Sequence, residues 1–199
     1  VAPMMTPTAG RSGFSHDQAF VEALLAWIVA CGAHWCYDED ITQLQHAVQG
    51  AMLARSETGD SADIAAALLH DVGHFLMKSQ AKDENYQDRD LKHEIVGASW
   101  LSRAFAPQVT EPVRLHVPAK RYLCAVNPDY WTDLSRGSKI SLQKQGGPMS
   151  KIEAKAFAAL PGYEQAIKLR QIDDRAKAVD LVISPIEDFA AHLLRTLKA

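Results

Sequence analysis

Apolar residues recur along this chain at intervals of three and four, the spacing of one face of an α-helix, almost from end to end. Phe20, Ala23, Leu24, Trp27 and Ile28 predict a helix over roughly 16–32. Ile41, Leu44, Val48 and Met52 predict a second over about 40–57. A third, over about 61–78, is apolar nearly all round and is expected at the centre of the core. Further helical segments cover about 91–106 and 109–124, the latter with Pro112 near its start and a kink expected at Pro118. In "NPDYWTDL" Asn127 reads as a cap with Pro128 in the first turn. Ser150 with Glu153, and Ser184 with Glu187, have the spacing of capping boxes, and Gly162 opens a helix over about 163–180. "SRGSKISLQKQGGPMS" reads as an irregular loop of a length that often carries function. Alternating β-branched runs are absent. The pattern predicts an all-α fold: a loose leader over 1–14 and one helical domain over 15–199.

Composition narrows the classes of function. The 199 residues are 47% hydrophobic, enough for a substantial core, and carry a formal charge of −3. That balance offers no basic stripe of the kind nucleic acid requires, although local positive charge for a small anion is compatible with it. Cys31, Cys36 and Cys124 form no CxxC pattern, which points to a reducing, cytoplasmic setting rather than a disulfide scaffold. No apolar run approaches the roughly 18 residues of a membrane span, and residues 1–13 lack the apolar stretch of a secretory signal.

The candidate chemistry lies in the histidines. "AALLHDVGHFL" places His70 beside Asp71, with His74 one turn later, inside an apolar run. Buried imidazoles and carboxylates are costly unless hydrogen-bonded, paired or bound to a metal. His46, His93 and His116 lie on other helical segments at similar intervals, whereas His16, His34 and His192 read as surface or structural residues. "LRQIDDRAK" adds Asp173 and Asp174, of which one can point inward because adjacent helical positions differ by about 100°.

The order His46, His70-Asp71, His93, His116, Asp173, with the stretches "LLHDVGH", "LHVPAKRYL", "QGGPMS" and "LRQIDD", resembles the HD-domain superfamily. More closely it resembles the mixed-valent diiron oxygenases of that superfamily that cleave organophosphonates. The resemblance runs from about Gln43 to Lys177 and implies an HD-type helical bundle with two irons, Fe(II) and Fe(III), and O2 as co-substrate. It implies that one iron takes His46, His70, Asp71 and Asp173, while the second takes His93, His116 and the same Asp71, a carboxylate with an oxygen for each. It makes His74 a residue that supports the metals or contacts substrate.

Lys120 follows His116 by four residues and Arg170 precedes Asp173 by three, so both can project from the metal-facing sides of their helices. With Ser138 of "SRGSK", at the place of a phosphonate-holding loop serine in the family, they would bind the phosphonate of a small-molecule substrate. The implied reaction is oxidative C–P cleavage of a 1-hydroxy-2-(amino or trimethylammonio)ethylphosphonate to phosphate and glycine or glycine betaine. Upstream of His46 the family's tyrosine position falls on Cys36, with Tyr37 one place late, and its glutamate position falls on Glu39. Trp35, Tyr37 and Asp38 form an aromatic and acidic patch suited to a quaternary ammonium, which inclines the reading towards the trimethylammonio substrate. A metal-dependent phosphohydrolase on the same scaffold is the alternative, and a non-catalytic interaction module would be expected to lack some of these ligands.

Overall fold

The computed structural model describes residues 10–36, 40–80 and 92–199. Among these the secondary structure is helical throughout, the only β interaction being an isolated bridge between Phe105 and Leu197. The helices are α1 (Asp17–Gly32), α2 (Gln43–Glu57), α3 (Ser61–Leu69), α4 (Val72–Gln80), α5 (His93–Leu101), α6 (Pro107–Val126), α7 (Tyr130–Asp133), α8 (Arg136–Lys144), α9 (Lys151–Ala158), α10 (Tyr163–Arg175) and α11 (Ala190–Arg195). None of the described helices is long and apolar enough to cross a membrane.

Capping chemistry sets several starts. Thr42 with Gln45, and Ser150 with Glu153, form complete capping boxes, and the Asp60 carboxylate accepts from the backbone of Ala62 and Asp63. Gly162, at φ 80°, takes the left-handed turn that starts α10. The box expected at Ser184 does not form; Pro185 instead leads a short 3-10 turn over Ile186–Phe189 with no side-chain cap. Asn127 accepts from Asp129 N in a turn, and the short α7 begins after it. Of the expected leader, residues 10–14 pack onto the bundle: Arg11 pairs with Asp17 at 2.6 Å, and Phe14 meets Phe20 edge-on.

α3 lies at the centre as its pattern predicts, with every residue from Ile64 to Leu69 buried. Phe20, Leu24 and Ile28 of α1, Val48 of α2, Val113 of α6, Ile172 of α10 and Phe189 close around it. A smaller cluster of Leu115, Ala119, Phe157 and Ala166 holds α9 against α6 and α10. α6 runs unbroken through Pro112 and Pro118, carrying His116 and Lys120 one turn apart, both buried.

Several boundaries differ from the sequence pattern, among them the helix expected over about 91–106, which ends at Leu101. The helix expected over 61–78 is two helices broken at His70-Asp71, where the His70 ring bonds Ala67 O and the chain restarts with His74 N on Asp71 O. The helix expected to reach 180 ends at Arg175. The segment read as a loop contains α8, capped by Ser135, whose hydroxyl accepts from Ser138 N. With Leu142 its only buried large apolar residue, α8 shows too little of an apolar stripe for periodicity to reveal it.

Gly73 governs how α4 meets α5. A Cβ at this position would stand 1.9 Å from His93 O and 3.0 Å from Gly97 N, so the backbones touch and His93 is brought against the His-Asp pair. Gly73→Ala must push α5 away. A cost of about 2–3 kcal/mol is expected from overpacking of this kind, read as a Tm lowered by roughly 5–10 °C in thermal denaturation. An unchanged Tm would show that the contact is not tight.

Candidate functional site

Six parts of the bundle deliver imidazoles and carboxylates to one place. α2 brings His46, the break between α3 and α4 brings His70 and Asp71, α4 adds His74, α5 His93, α6 His116 and α10 Asp173. His46 Nε2 lies 3.2 Å from His70 Nε2 and 3.3 Å from Asp173 Oδ1. His93 Nε2 lies 3.1 Å from His116 Nε2 and 3.4 Å from Asp71 Oδ1. Asp71 stands between the two groups: its Oδ1 is also 3.5 Å from His70 Nε2, and its Oδ2 is 3.7 Å from His46 Nε2.

The far nitrogens decide what these distances mean. His46 Nδ1 faces Ala176 O at 2.9 Å, His70 Nδ1 faces Ala67 O at 2.9 Å, and His116 Nδ1 faces Val113 O at 2.7 Å. A carbonyl has no proton to give, so each Nδ1 donates, and a neutral ring then presents a bare lone pair at Nε2. In the pair His46–His70 two such lone pairs point at each other, which is repulsive unless positive charge lies between them. Ligands about 2.0–2.1 Å from one metal ion and roughly at right angles are separated by about 3 Å, the spacing found in both pairs. The donor set therefore fits cations at two places, one among His46, His70 and Asp173 and one at Asp71 and His93, where His74 and His116 each bring a ring nitrogen to 3.9 Å from Asp71 Oδ1.

The electrostatics agree. Burial opposes ionisation of Asp71 and Asp173, yet both stay well below the usual carboxylate range, Asp71 because of His70, His93 and His74, and Asp173 because of Arg170, His46 and His70. Burial also disfavours charge on His46 and His93, but Asp173 and Asp71 outweigh it and raise both. His74 is pushed down to about 3, first by burial and then by His93. It stacks on the His93 ring, centroids 3.9 Å apart, with its Nε2 3.9 Å from Asp71 Oδ1.

A cationic cradle borders the cluster. Arg170 Nη1 holds Asp173 Oδ2 at 2.7 Å, and its other nitrogens reach Asp174, Ser138 Oγ at 3.3 Å and Tyr130 OH at 3.3 Å. Tyr130 OH in turn donates to Asp174. Lys120, 2% exposed, donates to Ser141 Oγ at 2.6 Å. Its ammonium is lowered to about 7, first by burial and then by Arg170. Lys177 donates to Ser138 Oγ at 3.1 Å and Ser135 Oγ at 3.3 Å.

All six expected ligands, His74, and the trio Lys120, Ser138 and Arg170 thus converge. Tyr37, Asp38 and Glu39 lie outside the described residues. His16 caps α1, His34 is exposed and His192 bonds Ser61, as expected of residues outside a site. Sequence reading missed Tyr130, Lys177 and Gln49, the last buried and exchanging two hydrogen bonds with the backbone of Ala178. Nothing in composition marked them, since Lys177 follows the end of α10 and Tyr130 sits in a four-residue helix.

Comparison with known proteins agrees with this arrangement. The HD domain family model matches residues 43–181. The chain is 46% identical over 153 residues to the hydroxymethylphosphonate dioxygenase of Gimesia maris, covering 77% of this chain and 76% of that one. It is 38% identical over 158 residues to the glycine-betaine-forming [1-hydroxy-2-(trimethylamino)ethyl]phosphonate dioxygenase of Leisingera caerulea, covering 79% and 80%. An uncharacterised protein, L432, of Acanthamoeba polyphaga mimivirus is 34% identical over 161 residues, covering 80% and 73%. Fold and site define an HD-domain protein with a metal-competent His/Asp cluster. Within that class the chain belongs to the phosphonate dioxygenases, and it is an oxygenase.

The geometry predicts the stoichiometry of metal binding. Wild-type protein should bind two transition-metal ions per chain, His116→Ala about one, and Asp71→Ala close to none, as measured by elemental analysis after reconstitution and desalting. Full metal content in Asp71→Ala would contradict the shared position of that carboxylate.

Proposed function

We propose that this protein is an iron- and O2-dependent oxygenase that cleaves the C–P bond of a 1-hydroxyphosphonate at a dinuclear centre. In this proposal one iron is held by His46, His70, Asp71 and Asp173, the other by His93, His116 and Asp71. The observation that carries the reading is the abutment of two His/Asp groups and a buried Lys–Arg–Ser cradle. Arg170 Nη1 touches a carboxylate of the first cluster, and Lys120 acts electrostatically on His93 of the second. Imidazole and carboxylate donors suit iron, and the cations suit a phosphonate. When bound, a mixed-valent iron pair supplies the activation of O2 and the removal of hydrogen from C1.

The chain's own residues do the rest. Lys120, Ser138 and Arg170 hold the phosphonate and so fix C1 beside the metals. His74, kept neutral by burial and by its histidine neighbours, offers a substrate oxygen a hydrogen-bond partner without added charge. Trp35, edge-on to His74 with ring centroids 6.3 Å apart, and Phe75 beside it form an apolar wall that limits water.

That wall also bears on the substrate's other end. Lys78 Nζ stands over the Trp35 ring at 4.0 Å, so the aromatic face that could receive a quaternary ammonium already carries a cation. Together with the 46% identity to a hydroxymethylphosphonate dioxygenase, this supports a compact, uncharged C1 substituent over the trimethylammonio group suggested by the sequence. Hydroxymethylphosphonate and O2 would give formate and phosphate, a conversion that balances without a further reductant.

Anaerobically iron-loaded protein, offered hydroxymethylphosphonate, 1-hydroxy-2-aminoethylphosphonate or its trimethylammonio analogue and then O2, should release phosphate fastest from the first, with equimolar formate. Faster release from the trimethylammonio compound would overturn the assignment of substituent. Phosphate freed from esters without O2, and none from phosphonates, would overturn the oxygenase in favour of a hydrolase.

Lys120 supplies a pH test. Its folded pKa of about 7 means that the cation is present below that pH and lost above it. We expect kcat/KM for the phosphonate to fall as pH rises through about 7. Lys120→Arg should keep activity and move the fall upward, because a guanidinium stays charged; an unmoved profile would remove Lys120 from phosphonate binding.

A further inference from the structure

Between the end of α10 and the 3-10 turn over Ile186–Phe189, the chain crosses α2 as irregular backbone. It follows one ridge of that helix, on which His46, Gln49, Met52 and Arg55 stand three residues apart. Each meets the segment in turn. The His46 ring faces Ala176 O at 2.9 Å, Gln49 pairs with Ala178, Met52 Sδ accepts from Ser184 N at 3.5 Å, and Arg55 reaches Ser184 Oγ at 3.3 Å. Ala176 is buried, but Val179, Leu181 and Val182 after it are exposed, so packing does little to fix the chain just beyond Ala176.

Gln49 is 1% exposed, and both ends of its amide are used: Nε2 donates to Ala178 O at 2.8 Å, and Oε1 accepts from Ala178 N at 2.9 Å. Opposite residues of an antiparallel ladder exchange two hydrogen bonds in the same way, which fixes the tilt of the peptide units as well as their position. Ala176 lies two residues earlier, at φ −77° and ψ 46°, where its carbonyl has left the helix and meets His46 Nδ1. The acceptors behind the other rings arise differently. Ala67 O and Val113 O stand three residues before His70 and His116, so the local helical turn supplies them. Of these three rings, His46 is the one whose acceptor comes from distant chain, 130 residues away in sequence.

We propose that Gln49 is a positioning residue for the metal position at His46: by gripping Ala178 it holds Ala176 O where that carbonyl fixes the His46 ring, with Nδ1 protonated and Nε2 bare towards a cation. The same grip bears on Asp173, because the Ala176 N–H donates to Asp173 O, so one anchor places both an imidazole and a carboxylate of this group. Without the anchor the Ala176 carbonyl is no longer held to His46. The ring can then turn, or carry its proton on Nε2, where it blocks a metal. The inference rests on the proposed metal site and is independent of which substrate that site takes.

Cobalt(II) is the probe, because its absorption and its shifted proton resonances report ligation without turnover. Metal-free protein titrated with cobalt(II) should take up one ion about tenfold or more weakly in Gln49→Leu than in wild type, and the other with wild-type affinity. Proton NMR of the cobalt-loaded variant should show one fewer slowly exchanging histidine N–H signal, that of His46 Nδ1. Gln49→Glu keeps the side-chain volume but sets a carboxylate against Ala178 O; it should show the same two changes, and it carries the test should Gln49→Leu fail to fold. Met52→Leu, altered further along the same ridge, should change neither. Cobalt affinities within twofold of wild type in the Gln49 variants, or an unchanged set of slowly exchanging signals, would overturn the proposal, as would equal weakening of both ions. If wild type binds two cobalt ions and Gln49→Leu loosens one while no phosphonate is cleaved, the role of Gln49 stands and the oxygenase reading falls alone.

Discussion

Two histidine pairs whose Nε2 atoms face each other across 3.1 and 3.2 Å are the constraint on which the rest of this structure depends. In isolation the pair His46–His70, with both Nδ1 atoms donating to carbonyls, is repulsive. Both pairs persist because the rings are fixed from behind by the carbonyls of Ala67, Val113 and Ala176, and because Asp71 and Asp173 provide negative charge in front. Such an arrangement costs stability until a cation completes it, so the surrounding core must hold it rigidly. The almost completely buried α3, the glycine contact between α4 and α5, and the long unbroken α6 serve that purpose.

The same logic explains the interruption at His70-Asp71. In a continuous helix, His70 and Asp71 would point about 100° apart. Breaking the helix there turns both side chains to the cluster, with Asp71 within 3.9 Å of five different imidazoles. On the far side, Arg170 joins the metal-facing carboxylate to the cradle. An anion held there would therefore lie at a fixed distance from the His/Asp cluster, and chemistry at the adjacent carbon would follow from placement.

Much of this was legible in the chain. Helical periodicity and the capping boxes gave the all-α architecture, because long amphipathic helices repeat their signal over several turns. The residues of the cluster were legible because polar residues such as His70 and His116 in apolar surroundings stand out. What stayed hidden was short or non-local. α8 has too few apolar residues to show a stripe, and the Ser184 motif had the right spacing without adopting the cap. Lys177 and Gln49 are ordinary residues until tertiary packing joins the chain after α10 to α2. The aromatic surface at Trp35 looked open to a cationic substrate because sequence could not show Lys78 lying across it.

The claim that underlies the account is that these facing nitrogens coordinate two separate cations bridged by Asp71. A crystal of the anaerobically iron-reconstituted protein, with anomalous difference maps collected on both sides of the iron absorption edge, tests it most directly. The account predicts two peaks, one among His46, His70 and Asp173 and one among His93 and His116, with Asp71 coordinated to both. A single peak, or two peaks with Asp71 turned away from either, would contradict it.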